Sequence, residues 1–135
     1  MEQPALRGEP WFDNTAYPFT SRFLETSAGR VHYVDEGQGE VVLMAHGTPS
    51  WTYEFRHVIK ELSKTYRVVA PDMVGFGLSD KPASFGYRLE DHTRVLNEVV
   101  TRLGLTRFHL VVHDFGGVVA LPLALEYVWQ DFPKK

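Results

Sequence analysis

An aspartate between a strand pattern and a helix pattern is the residue of this sequence best placed to do chemistry. Asp114 follows the apolar segment Phe108–Val112, and Gly116 and Gly117 lead into the helical segment Val118–Tyr127. A polar side chain at such a sharp strand-to-helix turn is how a nucleophile is presented above the edge of a sheet. We expect the two glycines to keep side chains out of this crowded turn. A carboxylate in that position would attack carbon and form an ester that water must then cleave. Asp also favours the first position of a helix, so this pattern alone leaves open whether Asp114 is a nucleophile or a helix cap.

The loop His46–Ser50 is the second segment whose residues could take part in a reaction. It follows the continuous apolar run Val41–Ala45 and precedes an amphipathic segment. Gly47 allows the backbone to approach a neighbouring loop closely. A loop of this kind can supply one of the two backbone N–H groups that an oxyanion hole requires.

A third glycine-bearing loop, Asp72–Asp80, superficially suggests a phosphate site. Its glycine spacing does not fit a dinucleotide fingerprint, and no Lys-Ser/Thr pair follows as in a nucleotide-binding loop, so we interpret it as a structural turn. The other histidines lack metal-ligand spacing and are interpreted as packing or surface residues: His32, His57, His92 and His109. We therefore expect no cofactor and no metal. The absence of Cys excludes thiolate catalysis and disulfides.

Strands that alternate with helices must position these loops. The hydrophobic patterns predict strands at Phe23–Thr26, Arg30–Asp35, Val41–Ala45, Arg67–Ala70 and Phe108–Val112, and helices at Trp51–Lys60, Leu89–Leu103 and Val118–Tyr127. The first two strands flank a short turn and read as a hairpin. The remaining alternation predicts an α/β fold with a mostly parallel sheet and flanking helices. The three loops would then lie together beyond the carboxyl ends of the strands, where such sheets bind ligands.

Composition bounds the class of protein. A chain of 135 residues is long enough for one domain with a core. We divide it into an N-terminal arm (1–20) held by aromatic side chains, a partial domain (21–127) and a divergent tail (128–135). The net charge of −3 and the scattered basic residues argue against nucleic-acid binding. No apolar stretch has membrane-spanning length, and the first residues lack a signal-peptide pattern. Together with the absence of Cys, this predicts a cytoplasmic protein that does not bind a membrane.

Taken together, the three loops resemble the branch of the α/β-hydrolase superfamily that contains haloalkane dehalogenases and epoxide hydrolases. The resemblance extends from about Phe19 to Tyr127. It implies that Asp114 is the nucleophile and that the backbone N–H groups of Thr48 and Phe115 are the oxyanion donors. It also implies that His46 is a structural residue opening the oxyanion loop, and that the substrate is a small molecule.

The chain departs from this branch at several positions. Dehalogenases usually place Trp after the nucleophile, where its indole N–H holds the leaving halide, but Phe115 has no such donor. Many also place Asn where this chain has Thr48. In this fold the catalytic acid and His follow the nucleophile, and residues 115–135 contain no His. The resemblance therefore implies the N-terminal half of an Asp-nucleophile hydrolase, truncated before its acid and His and without a cap domain.

Two alternatives remain open. The chain could be a non-catalytic hydrolase-like fragment that needs a complementary half, because an incomplete sheet leaves an unpaired edge and an exposed apolar face that invite self-association. It could also be an epoxide hydrolase or another member of the fold that acts on esters or lactones.

Overall fold

Five strands form one mixed sheet at the centre of the molecule. The computed structural model describes the backbone of residues 5–131 and the side chains of residues 7–127. The strands are β1 (Arg22–Thr26), β2 (Gly29–Glu36), β3 (Val41–Ala45), β4 (Arg67–Pro71) and β5 (Phe108–Val112). Their order in the sheet is β1-β2-β4-β3-β5. The hairpin β1–β2 joins the sheet antiparallel to β4, whereas β4, β3 and β5 are mutually parallel. The predicted fold class is confirmed.

The central strand β3 is covered on both faces, as its continuous apolar sequence predicted. Val42 and Met44 face one cluster of buried side chains, which includes Ile59. Leu43 and Ala45 face a second cluster on the opposite side. This alternation follows from the two-residue period of a strand, and it explains why every position of β3 needs to be apolar.

Helices cover both faces and differ from the predictions mainly at their ends. The segment predicted as one helix from Trp51 begins as a 3-10 turn, Thr52–Phe55, and continues as α1 (Arg56–Leu62). The other helices are α2 (Leu89–Arg102) and α3 (Phe115–Asp131). Helix α3 begins three residues before the predicted start, because the N–H groups of Gly116 and Gly117 already bond back to the carbonyls of His113 and Asp114.

The N-terminal arm packs against the body of the protein through aromatic side chains. Tyr17 is fully buried, and Phe12 and Phe19 are nearly so, whereas Trp11 is exposed. The hydroxyl of Tyr17 lies 2.6 Å from that of Thr52, at the start of the 3-10 turn. The arm therefore contacts the segment that follows the His46–Ser50 loop. For the predicted tail 128–135, the backbone of residues 128–131 continues α3, and the rest lies outside the described residues.

One edge of the sheet and one side of α3 leave apolar groups exposed. Strand β5 is the last strand in the sheet order. Within this strand, Val112 is 39% exposed, and the α3 side chains Val118, Leu121 and Leu125 are 49%, 54% and 68% exposed. Within the part of the chain that the structure describes, no helix is both long and apolar enough to cross a membrane.

Candidate active site

Asp114 occupies a strained turn between β5 and α3. Its φ angle is 52°, in the left-handed region that a non-glycine residue rarely adopts. The turn packs directly on the end of β3, because a Cβ placed on Gly116 would lie 2.1 Å from the carbonyl oxygen of Ala45. Gly117 differs from our expectation: a Cβ there would make an ordinary contact, 3.4 Å from the Val112 side chain. Only the first of the two glycines is required by close packing.

The hydrogen bonds of the turn do not fit the helix-cap interpretation of Asp114. A capping side chain accepts a bond from the second or third N–H of its helix. In α3 these belong to Gly116 and Gly117, which donate instead to the backbone carbonyls of His113 and Asp114, at 2.9 and 3.0 Å. The Asp114 side chain is exposed and therefore available to a ligand.

The His46–Ser50 loop brings a backbone donor to this carboxylate. The N–H of Thr48 lies 3.3 Å from Oδ2 of Asp114, although the residues are 66 positions apart. The N–H of Phe115, and next that of Thr48, hold the pKa of Asp114 below its ordinary value, because they stabilise the charged carboxylate. Of the two predicted donors, Thr48 makes a hydrogen bond to this side chain, and the N–H of Phe115 contributes to lowering its pKa.

His46 determines how the Thr48 N–H is directed. The ring is fully buried. Its Nε2 accepts the N–H of Met73 at 2.9 Å, so its Nδ1 carries the proton and donates to the carbonyl of Gly47 at 2.8 Å. The N–H of Ser50 donates to the same carbonyl at 2.9 Å. The Gly47 carbonyl and the Thr48 N–H belong to one planar trans peptide and point in opposite directions. Fixing the carbonyl on one side therefore directs the N–H to the other side.

The Asp72–Asp80 loop is a structural turn built around a buried carboxylate. Asp72 accepts the N–H groups of Thr52 and Leu78 at 2.8 and 2.9 Å, and it pairs with the ring of His32 at 2.9 Å. Burial opposes its charge, but these donors outweigh burial and the pKa of Asp72 lies below its ordinary value. A Cβ on Gly77 would lie 2.4 Å from Asp72 Oδ2, so this glycine makes room for the carboxylate. Asp72 thereby connects this turn to the segment after the Thr48 loop.

The side chain of Phe115 lies in an apolar environment. It packs within the cluster of α2 and α3 side chains, and its ring meets that of His92 edge-on at 6.0 Å. Burial lowers the pKa of His92, since the charged form would lose its hydration. Phe115 therefore contributes a backbone N–H to the site and no side-chain donor.

The sequence patterns did not predict the roles of three side chains that shape the site. His32 was expected to be a packing or surface residue; it is fully buried, and its pairing with Asp72 was not foreseen. Glu54 and His113 pair at 3.0 Å between the Thr48 loop and the Asp114 turn. Glu54 lies in an amphipathic segment that also carries Arg56 and His57, so its charge gave no distinct signal. For His113, adjacency to Asp114 was the signal. Among the residues with described side chains, no group of three His, Asp or Glu lies close enough to hold a metal ion.

The chain is similar in sequence to proteins of a known family. Residues 40–135 match the protein family described as the alpha/beta hydrolase fold. The haloalkane dehalogenase 2 of Mycobacterium tuberculosis is 46% identical over 114 residues, which cover 84% of this chain and 40% of that protein. The cis-3-alkyl-4-alkyloxetan-2-one decarboxylase of Shewanella oneidensis is 38% identical over 120 residues, which cover 84% of this chain and 37% of that protein.

Solved structures show the same similarity. The crystal structure of an epoxide hydrolase from Vigna radiata superimposes with a TM-score of 0.75 at 34% identity, covering 82% of this chain and 36% of that one. The chain spans about two fifths of the length of the curated relatives it matches.

Proposed function

Since this chain belongs to the family of the alpha/beta hydrolase fold, we propose that it is the N-terminal part of a hydrolase whose nucleophile is the carboxylate of Asp114. The observation that carries the proposal is the contact between Asp114 Oδ2 and the Thr48 N–H at a left-handed turn. An exposed carboxylate with a lowered pKa is ionised at neutral pH, as an attacking group must be.

The proposed first step is a substitution at a saturated carbon of a small substrate. One oxygen of Asp114 forms a bond to that carbon, and the bond to the leaving group breaks with its electron pair. With an alkyl halide, halide departs and an alkyl ester of Asp114 remains. Hydrolysis of the ester then places negative charge on the ester's carbonyl oxygen, where the N–H groups of Thr48 and Phe115 would stabilise it. Residues 115–135 contain no His to activate water, so an ester formed on these 135 residues should be long-lived.

Haloalkanes are the first substrate class to test, because the mycobacterial relative is a haloalkane dehalogenase. Epoxides are the second candidate, and a specific observation supports them. The Phe115 side chain packs among apolar neighbours and has no N–H to hold a departing halide. An epoxide releases no halide, since its oxygen stays attached to the product.

Intact-protein mass spectrometry after incubation with a primary alkyl bromide or a terminal epoxide tests the proposal. An alkyl bromide should add the mass of its alkyl group less one hydrogen, because HBr is lost, whereas an epoxide should add its whole mass. Peptide mapping should place either adduct on Asp114, and Asp114→Asn should remove it. Asp91→Asn is the matched control, because Asp91 is also an aspartate that accepts a backbone N–H and has a lowered pKa, but it lies outside the site. Equal labelling of the wild type and Asp114→Asn would reject the nucleophile assignment.

A further inference from the structure

The carboxylate of Glu54 bridges the two loops that form the candidate site. Its Oε1 accepts the N–H of Gly47 at 2.8 Å, and its Oε2 accepts Nδ1–H of His113 at 3.0 Å. Gly47 lies directly before the donor Thr48, and His113 lies directly before the nucleophile Asp114. One side chain therefore contacts the residue preceding each member of the Thr48–Asp114 hydrogen bond.

The environment of Glu54 makes this bridge costly to lose. Only 20% of its side-chain surface is exposed, so the carboxylate relies on these two donors in place of water. The two loops are also packed tightly, since a Cβ on Gly47 would lie 2.9 Å from both Asp114 Cβ and His113 Nδ1. At such short range, a small shift of one loop changes the Thr48–Asp114 distance directly.

The other hydrogen bonds of Gly47 are made by its carbonyl, and its N–H donates to Glu54. His46 and Ser50 hold the Gly47 carbonyl and so orient the Thr48 peptide within the loop. These contacts do not reach the Asp114 turn. The backbone of that turn also bonds to the end of β3, through the His113 N–H and the Ala45 carbonyl at 3.1 Å. Glu54, which extends from the 3-10 turn following the loop, adds the side-chain link between Gly47 and that turn.

We propose that Glu54 is a positioning residue that sets the distance between the Thr48 N–H and the Asp114 carboxylate by tying the Thr48 loop to His113. The inference rests on the proposed function, because it assigns Glu54 to the same site. It predicts that loss of the bridge weakens the Thr48–Asp114 hydrogen bond. The effect of the Phe115 N–H on the carboxylate should remain, because Phe115 belongs to the same turn as Asp114.

Amide NMR of the full chain measures the two donors separately. In the wild type, the amide proton shifts of Thr48 and Phe115 should follow the ionisation of Asp114 with a common midpoint as the pH falls from about 6 to about 2. Asp114→Asn should abolish both responses, which assigns them to the Asp114 carboxylate. In Glu54→Leu, the Thr48 response should lose most of its amplitude, while the Phe115 response remains and its midpoint moves to higher pH. Glu61→Leu is the matched control, because Glu61 is exposed and its carboxylate pairs with Lys64 on the surface, away from the two loops.

His113→Ala keeps the experiment decisive if Glu54→Leu does not fold, since it removes one end of the bridge and leaves the Gly47 bond. It should reduce the Thr48 response by a smaller amount, and Glu54→Gln should keep more of that response than Glu54→Leu. A full Thr48 response in a folded Glu54→Leu or His113→Ala variant would overturn the proposal. The shifts are read without any labelling reagent. An unlabelled wild type would therefore refute the nucleophile, while an intact Thr48 response in the variants would refute the bridge.

Discussion

His32 and Asp72 form a pair that is sealed from solvent, with Nδ1 of the ring 2.9 Å from Oδ2 of the carboxylate and neither side chain exposed. Nε2 of His32 continues the network to the hydroxyl of Ser21 at 3.0 Å. The pair therefore joins the N-terminal hairpin to the turn after β4, which also holds His46 through the N–H of Met73. The buried His32–Asp72 pair thus supports the His46–Ser50 loop, whose Thr48 N–H bonds to Asp114.

Replacing Asp72 by Asn should destabilise the protein strongly. The change leaves the ring of His32 and the N–H groups of Thr52 and Leu78 without the charge that they stabilise. Breaking a buried pair by removing one partner costs about 3–5 kcal/mol. Glu61→Gln is the control, because its exposed pair with Lys64 should contribute about 0–1 kcal/mol. Urea unfolding would measure both, and equal losses would show that burial of the His32–Asp72 pair adds no stability.

The two glycines after Asp114 should respond oppositely to alanine. Gly116→Ala forces a Cβ against the Ala45 carbonyl, which is backbone and cannot move aside, and overpacking of this kind costs about 1–3 kcal/mol or more. Gly117→Ala has room beside Val112 and should be neutral or stabilise α3 by up to about 1 kcal/mol. Thermal unfolding of the two variants tests the difference. A destabilised Gly117→Ala with an unaffected Gly116→Ala would contradict the packing of this turn.

Labelling of Asp114 should persist into mildly acidic solution. Only the carboxylate attacks, and the N–H groups of Phe115 and Thr48 place its pKa below the ordinary value of 3.8. The rate should therefore be constant from neutral pH down to about pH 4 and fall only below it. Loss of the Thr48 bond raises the pKa, so the decline should begin at higher pH in Glu54→Leu. Rates of adduct formation at several pH values measure this, and a decline above about pH 5 in the wild type would mean that another group controls attack.

Self-association of the 135-residue chain remains a prediction, and the structure indicates where it would occur. The edge strand β5 and the exposed α3 side chains Leu121 and Leu125 form the unpaired apolar side of the molecule. Replacing both leucines by Gln should shift the chain toward monomer in size-exclusion chromatography across a concentration series. Val58→Gln is the control, since Val58 is an exposed apolar residue on α1. A wild type that stays monomeric at every concentration would refute this prediction.

Hydrophobic patterns in the sequence predicted the strands and helices, but they did not predict where most of these elements begin and end. Strands β3 and β5 match their predicted bounds, because a short apolar run flanked by polar or turn residues is typical of a strand. The segment after Trp51 was predicted as one helix, yet its first turn is 3-10, because contacts of Thr52 with Asp72 and Tyr17 hold it there. Such contacts reach across the chain and leave no periodic signal.

The sequence by itself determined the order of strands and helices and the position of Asp114 at a turn. Both depend on local properties, namely hydrophobic periodicity and the small residues that a sharp turn needs. The tertiary structure alone decided which groups make contact: Thr48 with Asp114, Glu54 with both Gly47 and His113, and His32 with Asp72. The contacts of Thr48 and Glu54 depend on parallel pairing of β3 with β5, which brings loops distant in the chain to one edge of the sheet. The His32–Asp72 contact depends on antiparallel pairing of β2 with β4.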